Sequence, residues 1–373
     1  MKLRRNIIFS ALAFFMGYLA RITWSVTSPY SSLRPTVAED SLIFTLFFLG
    51  YVIVQIPAGI LADMKSAKLI TSLVLLPLSL SLFLSGMANN IELEYIASLI
   101  MGLSAGWIYP ATLKVISETY KGRELAIAMG YYSLAWPLSI TIAGLAIPYL
   151  TINLGWRWPY YILAALGIVG AIGTLTVSYP SNNLKGKSGF IIKFNRDVTI
   201  LSFSGFLFFS SYWIITLYSY KYFLLIFNNP YLAGISYSLL ALTGIPSTLI
   251  SGRFINRLGV KRTLMVFELA YGILIVGIAF LHEPLVVFVI ASLMGFIRFV
   301  ITPANSTAVS LVGGNKSGSV AGTVNLFWQS SGISSPVLAS IILGYSNYFV
   351  LWLFSALLVI GSAIGYISLK IKN

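Results

Sequence analysis

Two arginines stand in stretches that are otherwise apolar, where a guanidinium must meet an anion, water or a set of hydrogen-bond acceptors. Counted from Ile7, Arg21 lies about 20 Å along a helix at ~1.5 Å per residue, and Arg298 lies about as far from Leu285. Both are then near the middle of a hydrocarbon layer about 30 Å thick. The guanidinium is a planar fork that pairs two-to-two with carboxylate or phosphate, which a lysine cannot match. Anion capture is the chemistry these residues could do. Tyr18 shares a helical face with Arg21, and Thr302 and Asn305 share one with Arg298. Tyr212 beside Trp213, and Asn325, Trp328 and Gln329, are further candidates for a solute contact. The alternatives are hydrogen bonding of each arginine to backbone carbonyls at a helix break, pairing with an acid elsewhere, and ordinary helix packing for the aromatic residues.

Acids are scarce in the same stretches. Glu268 is the one clearly inside, and its nearness in sequence to Arg262 points to a structural partnership with Arg253 or Arg257, with proton carriage as the alternative. Glu39, Asp40, Glu92, Glu94 and Glu118 are placed at helix ends or loops, so a mid-membrane carboxylate on a lining helix is not expected. There is no cysteine and a single histidine, His282. No nucleophile, base or metal constellation emerges, so neither an enzyme nor a cofactor is expected.

The elements that must hold these groups are membrane helices. The chain is 58% hydrophobic and 9% charged, too apolar for a surface facing water. Apolar runs long enough to span a bilayer succeed one another twelve times, from 7–29 to 347–369, and each must be helical because lipid leaves no partner for open backbone. The basic start, Lys2, Arg4 and Arg5, imitates a signal peptide, but Arg21 interrupts the apolar run behind it, so a retained first span is expected. The net charge of +14 is spread between spans and does not form a nucleic-acid-binding stripe. With the twelve spans, 19 of the 24 Lys and Arg fall to the termini and one set of alternate loops against 3 to the other. The positive-inside rule then places both termini in the cytoplasm.

The chain also repeats itself. GILADMKSAK at Gly59 to Lys68 returns 193 positions later as GRFINRLGVK at Gly252 to Lys261, and Met101-Gly102 with Pro110-Ala111 returns as Met294-Gly295 with Pro303-Ala304. Two related halves, with a site at their junction, are an arrangement of secondary transporters. The polar stretch SNNLKGKSGFIIKFNRD divides the chain into residues 1–180, a cytoplasmic linker at 181–198, and residues 199–373, giving six spans on either side.

These motifs resemble those of the major facilitator superfamily over essentially the whole chain. GILADMKSAK is similar to its G-x-L-A-D loop between the second and third spans, GWRWPYY at Gly155 to Tyr161 to its Gly-Trp-Arg-Trp sequence before the sixth, and YKGRELAIAMG at Tyr120 to Gly130 to its basic connection before the fifth. YLARITWSVTSP at Tyr18 to Pro29 resembles the first span of its organic-anion and organophosphate branch, in which the arginine contacts the substrate; Ala20 stands where an acid commonly precedes it. The arginine common early in the fourth span is Ser98, and the Gly-Pro motif of drug antiporters is reduced to Trp136-Pro137. The resemblance implies an all-α membrane fold of two six-helix bundles and a cytoplasmic gate around Gly59, Asp63 and Arg123. Asn256, Arg257 and Lys316 are its counterparts in the second half.

The expectation is therefore a carrier of a small, anionic solute in the cell membrane, working by alternating access, with Arg21 and Arg298 each contacting the solute. A lipid bilayer and the solute are its partners, a proton is a possible coupling ion, nucleic acid is not a partner, and a monomer is expected. The rivals are a proton-coupled carrier of neutral sugars or drugs and a transporter-like solute sensor.

Overall fold

A computed structural model of the chain describes residues 2–64, 66–177, 195–313 and 317–370. Two compact units divide it, Met1–Phe190 and Ile191–Asn373. The first contains α1 (Lys2–Thr27), α2 (Val37–Met64), α3 (Ala67–Met87), α4 (Ile91–Ala105), α5 (Ile108–Thr119), α6 (Gly122–Ser133), α7 (Ala135–Leu154) and α8 (Trp158–Leu175). In the second are α9 (Arg196–Phe227), α10 (Pro230–Leu242), α11 (Gly244–Leu258), α12 (Val260–Phe280), α13 (Pro284–Gly313), α14 (Ser317–Tyr345) and α15 (Tyr348–Gly365). Among the described residues there is no strand, and twelve helical stretches are long and apolar enough to cross a membrane.

Three of the twelve spans are broken in two, and the cause is the same each time. Pro110, Pro137 and Pro246 are each the third residue of the helix after a break, in α5, α7 and α11. A proline there has no N–H for the carbonyl four residues back, and its ring crowds that carbonyl. At the first break Gly106 also lets α2 come close, since a Cβ would lie 2.6 Å from the Tyr51 carbonyl oxygen. Pro57, Pro77, Pro148, Pro303 and Pro336 are accommodated without a break.

Helix starts use side-chain caps. Asn90, Asn195, Asn229 and Asn347 each accept a hydrogen bond from a backbone N–H of the first turn, worth about 1 kcal/mol apiece. The Gly-Trp-Arg-Trp sequence makes the turn between α7 and α8. Gly155 takes φ of +104°, which only glycine adopts at no cost, and Arg157 Nη2 reaches the Ala88 carbonyl and Asn89 Oδ1 at 3.0 Å each, tying this turn to the one before α4.

Within the first unit α3 packs on α8, α2 on α4, and α1 on α7. In the second, α9 packs on α14, α12 on α15, and α13 on both α11 and α12. Polarity is inverted relative to a water-soluble protein. Leu249, Ile273 and Leu285 are 71, 70 and 74% exposed, whereas Arg298 and Glu268 are 1 and 0% exposed. A hydrocarbon surrounding accounts for that inversion, because it takes apolar side chains at no cost and rejects charge.

Candidate solute-binding site

Each arginine sits inside a cage of aromatic rings supplied by its own unit. The Arg21 guanidinium lies 4.4 Å from the Tyr51 ring centroid, 5.0 Å from Phe48, and 5.2 Å from both Phe47 and Tyr18. The Arg298 guanidinium lies 4.0 Å from Tyr212, 5.0 Å from Phe208 and 5.3 Å from Phe209. A desolvated cation–π contact contributes up to about 2 kcal/mol, and insertion scales put a mid-membrane arginine at about 2.5–3.5 kcal/mol. Three or four rings therefore offset much of the cost of burying each cation.

The cages share a sequence signature that spacing from the arginines does not single out. Phe47-Phe48-Leu49-Gly50-Tyr51 on α2 and Phe208-Phe209-Ser210-Ser211-Tyr212 on α9 both read F-F-x-x-Y. Positions i and i+4 fall on one helical face with i+1 beside it, so the three rings form one concave wall. The two pentapeptides are 161 positions apart, which is not the 193-residue register of the repeat, so equivalent helices do not carry them.

Around Arg21, Tyr18 is buried with its ring 5.5 Å from Trp136. A narrow cavity beside the guanidinium is lined by Trp24, Phe44, Phe47, Glu94, Ser98 and Tyr160 among others. As it stands it has room for little more than a water molecule, so a solute could enter only as the lining rings part. Ser98 donates to the Ile43 carbonyl at 2.7 Å and ties α4 to α2.

Around Arg298, Nη1 donates to Thr302 Oγ1, one turn along the same face. Asn305 is buried and accepts from the Tyr366 hydroxyl at 2.9 Å, so it is turned toward the end of α15. Trp328 joins the cage through Phe209, on which it stacks at 5.2 Å while its Nε1 donates to the Leu201 carbonyl at 3.0 Å. Asn325 and Gln329 meet each other at 3.5 Å, in the partly buried middle of α14.

Two acids have surroundings that the sequence does not reveal. Glu268 is fully buried, with Ser362, Tyr366 and Arg298 among the polar groups near it, while Arg253 and Arg257 are exposed. The expected partnership with those arginines is thus replaced by a place in the interior beside Arg298. The reason is helix phase. Residue 268 falls on the face of α12 that packs against α13 and α15, which spacing from Arg262 does not reveal. Glu94 stands at a helix end, in the first turn of α4, as the sequence suggests, but it is 1% exposed and faces the Arg21 cavity. Of the gate candidates, Gly59 has open space about it, and Asn256 and Arg257 are exposed near the end of α11. The side chains of Asp63 and Arg123, and Lys316, lie outside the described residues.

Among the described residues, twelve membrane-length helical stretches in two units, with buried cations in their interiors, are the architecture of a polytopic membrane protein. The family model of the Major Facilitator Superfamily matches residues 8–336, and the chain belongs to that family of transporters. It is 28% identical over 160 residues to the probable L-galactonate transporter of Escherichia coli (strain K12), a match covering 42% of this chain and 35% of that one. It is 22% identical over 346 residues to multidrug resistance protein 2 of Bacillus subtilis (strain 168), covering 88% of this chain and 85% of the relative. The crystal structure of a point mutant of the nucleoside transporter NupG superposes with a TM-score of 0.85 over 99% of this chain and all of that one, at 15% identity. That likeness shows the fold.

Proposed function

We propose that the protein moves a small anionic solute, a carboxylate or an organophosphate, across the cell membrane by alternating access. Arg21 is the solute contact of the first half and Arg298 that of the second. The observation that carries this reading is the placement of Arg21, buried in the membrane-spanning part of the first unit and lining a cavity. The rings supply the cation with weak, non-directional attraction, which an incoming carboxylate can exceed with two charge-assisted hydrogen bonds. The cage thus holds the arginine in place between turnovers and yields it to the solute. The L-galactonate name of one relative supports an organic anion. Asp63 with Arg123, flanked by Gly59, forms the cytoplasmic gate, with Asn256, Arg257 and Lys316 as its counterpart, and both termini lie in the cytoplasm.

The test is uptake into vesicles reconstituted with purified protein, using a panel of carboxylates, organophosphates and neutral sugars as competitors. Anions compete and sugars do not. Arg21→Gln abolishes the anion-dependent flux while the protein stays folded and monodisperse, and full activity of that variant refutes the reading. The rival of drug export draws on the longer match to the multidrug relative. It predicts competition by cationic or neutral drugs in place of carboxylates.

A further inference from the structure

The cavity beside Arg21 has a second polar wall that anion binding alone does not use. Its other polar groups are committed to the protein. Trp24 Nε1 donates to Asp40 Oδ1 at 2.8 Å, Ser98 Oγ to the Ile43 carbonyl at 2.7 Å, and the Tyr160 hydroxyl shares a hydrogen bond with Thr27 Oγ1 at 3.0 Å. Glu94 differs. Its Oε1 accepts from Ser85 Oγ at 3.2 Å, whereas Oε2 is buried without a hydrogen bond among the described residues. A buried polar atom left in that condition costs the fold its lost hydration, and in a binding site it marks where a ligand atom belongs.

We propose that Glu94 is a hydroxyl-recognition point, so that the solute taken by this site is a hydroxy acid, held by its carboxylate on Arg21 and by a hydroxyl on Glu94 Oε2. The inference rests on the anion reading of Arg21 and narrows it. A hydroxyl fits because it both donates and accepts, and so it satisfies the carboxyl oxygen whether or not that oxygen carries a proton. A methylene in the same place leaves Oε2 buried and unpaired, and a second carboxylate meets an acid. Sites that hydrogen-bond a solute hydroxyl reject the analogue lacking it for the same reason. The placement also orders the two contacts. Glu94 is held from α4 and Arg21 from α1, so a molecule reaching both cross-links the two helices within the unit.

The experiment is calorimetric binding of L-galactonate and of hexanoate, a six-carbon acid without hydroxyls, to the purified full-length protein in nanodiscs. The wild-type protein binds the hydroxylated acid about 10- to 100-fold more tightly, the range of one hydrogen bond to a charged group. Glu94→Ala brings that ratio close to one, by weakening L-galactonate and by removing the unpaired oxygen that hexanoate leaves behind. Glu94→Gln, which keeps an acceptor and a donor, retains most of the preference and guards against a folding defect in the alanine variant. Equal binding of the two acids by the wild-type protein overturns this inference alone, as does an unchanged ratio in Glu94→Ala. If neither acid binds the wild-type protein, the anion reading falls and this inference falls with it.

Discussion

Replacing Tyr212 with leucine removes the ring nearest to Arg298 and asks how much the cage holds. The guanidinium stands 4.0 Å from that centroid and 5.0 and 5.3 Å from those of Phe208 and Phe209, so Tyr212 carries the largest share of the attraction. For a desolvated pair that share is about 2 kcal/mol. Shrinking a buried aromatic side chain costs a further ~1–3 kcal/mol in lost packing, which says nothing about charge. A double-mutant cycle separates the two. Tyr212→Leu in the wild-type background loses both terms, about 3–5 kcal/mol in all, whereas in an Arg298→Gln background it loses packing alone. The expected coupling is therefore about 2 kcal/mol. Unfolding in mixed micelles followed by tryptophan fluorescence reads it, since the Trp213 ring lies 4.8 Å from Tyr212. Tyr212→Phe, which keeps the ring, should retain the coupling. Additive losses, to within about 0.5 kcal/mol, would show that the ring does not hold the cation and would remove the cage argument for both arginines.

Three further outcomes are expected. Gly102→Ala should prevent α2 and α4 from closing, because the new Cβ would lie 1.9 Å from the Phe47 carbonyl oxygen, whereas Gly59→Ala, in open space, should leave folding intact; yields of monodisperse protein compare the two. Glu268→Lys should abolish folded protein by adding a second buried cation near Arg298, while Glu268→Gln, which keeps the shape, should be recovered in normal yield. Because the chain has no cysteine, single introduced cysteines report topology without background: Lys187→Cys should react with an impermeant maleimide only in inside-out vesicles and Lys221→Cys only in intact cells, and the reverse pattern would invert the orientation.

Part of the proposed site can be read from the chain directly. Arg21 and Arg298 declare themselves, because charge in an apolar run has to be explained wherever it occurs. Their cages are written there too, as F-F-x-x-Y on two helices, but the pattern gains meaning only when the ring and the cation are known to be neighbours. Tyr51 and Arg21 are on different helices, and no spacing rule along one chain links them. Glu94 and Glu268 escape sequence reasoning for a related reason. Distance from a helix end says how deep a residue is, whereas the direction of its side chain depends on which neighbour its helix packs against.

The number of spans, their helical state and the family are all contained in the order of the residues. A bilayer imposes length, apolarity and satisfied backbone on every crossing element, and these are local properties. Which polar groups face which is a matter of packing. Packing takes Glu268 away from the loop arginines and sets Glu94 in the same cavity as Arg21. Those outcomes depend on helix rotation and on close contact between segments far apart in the chain, neither of which any single stretch of residues encodes.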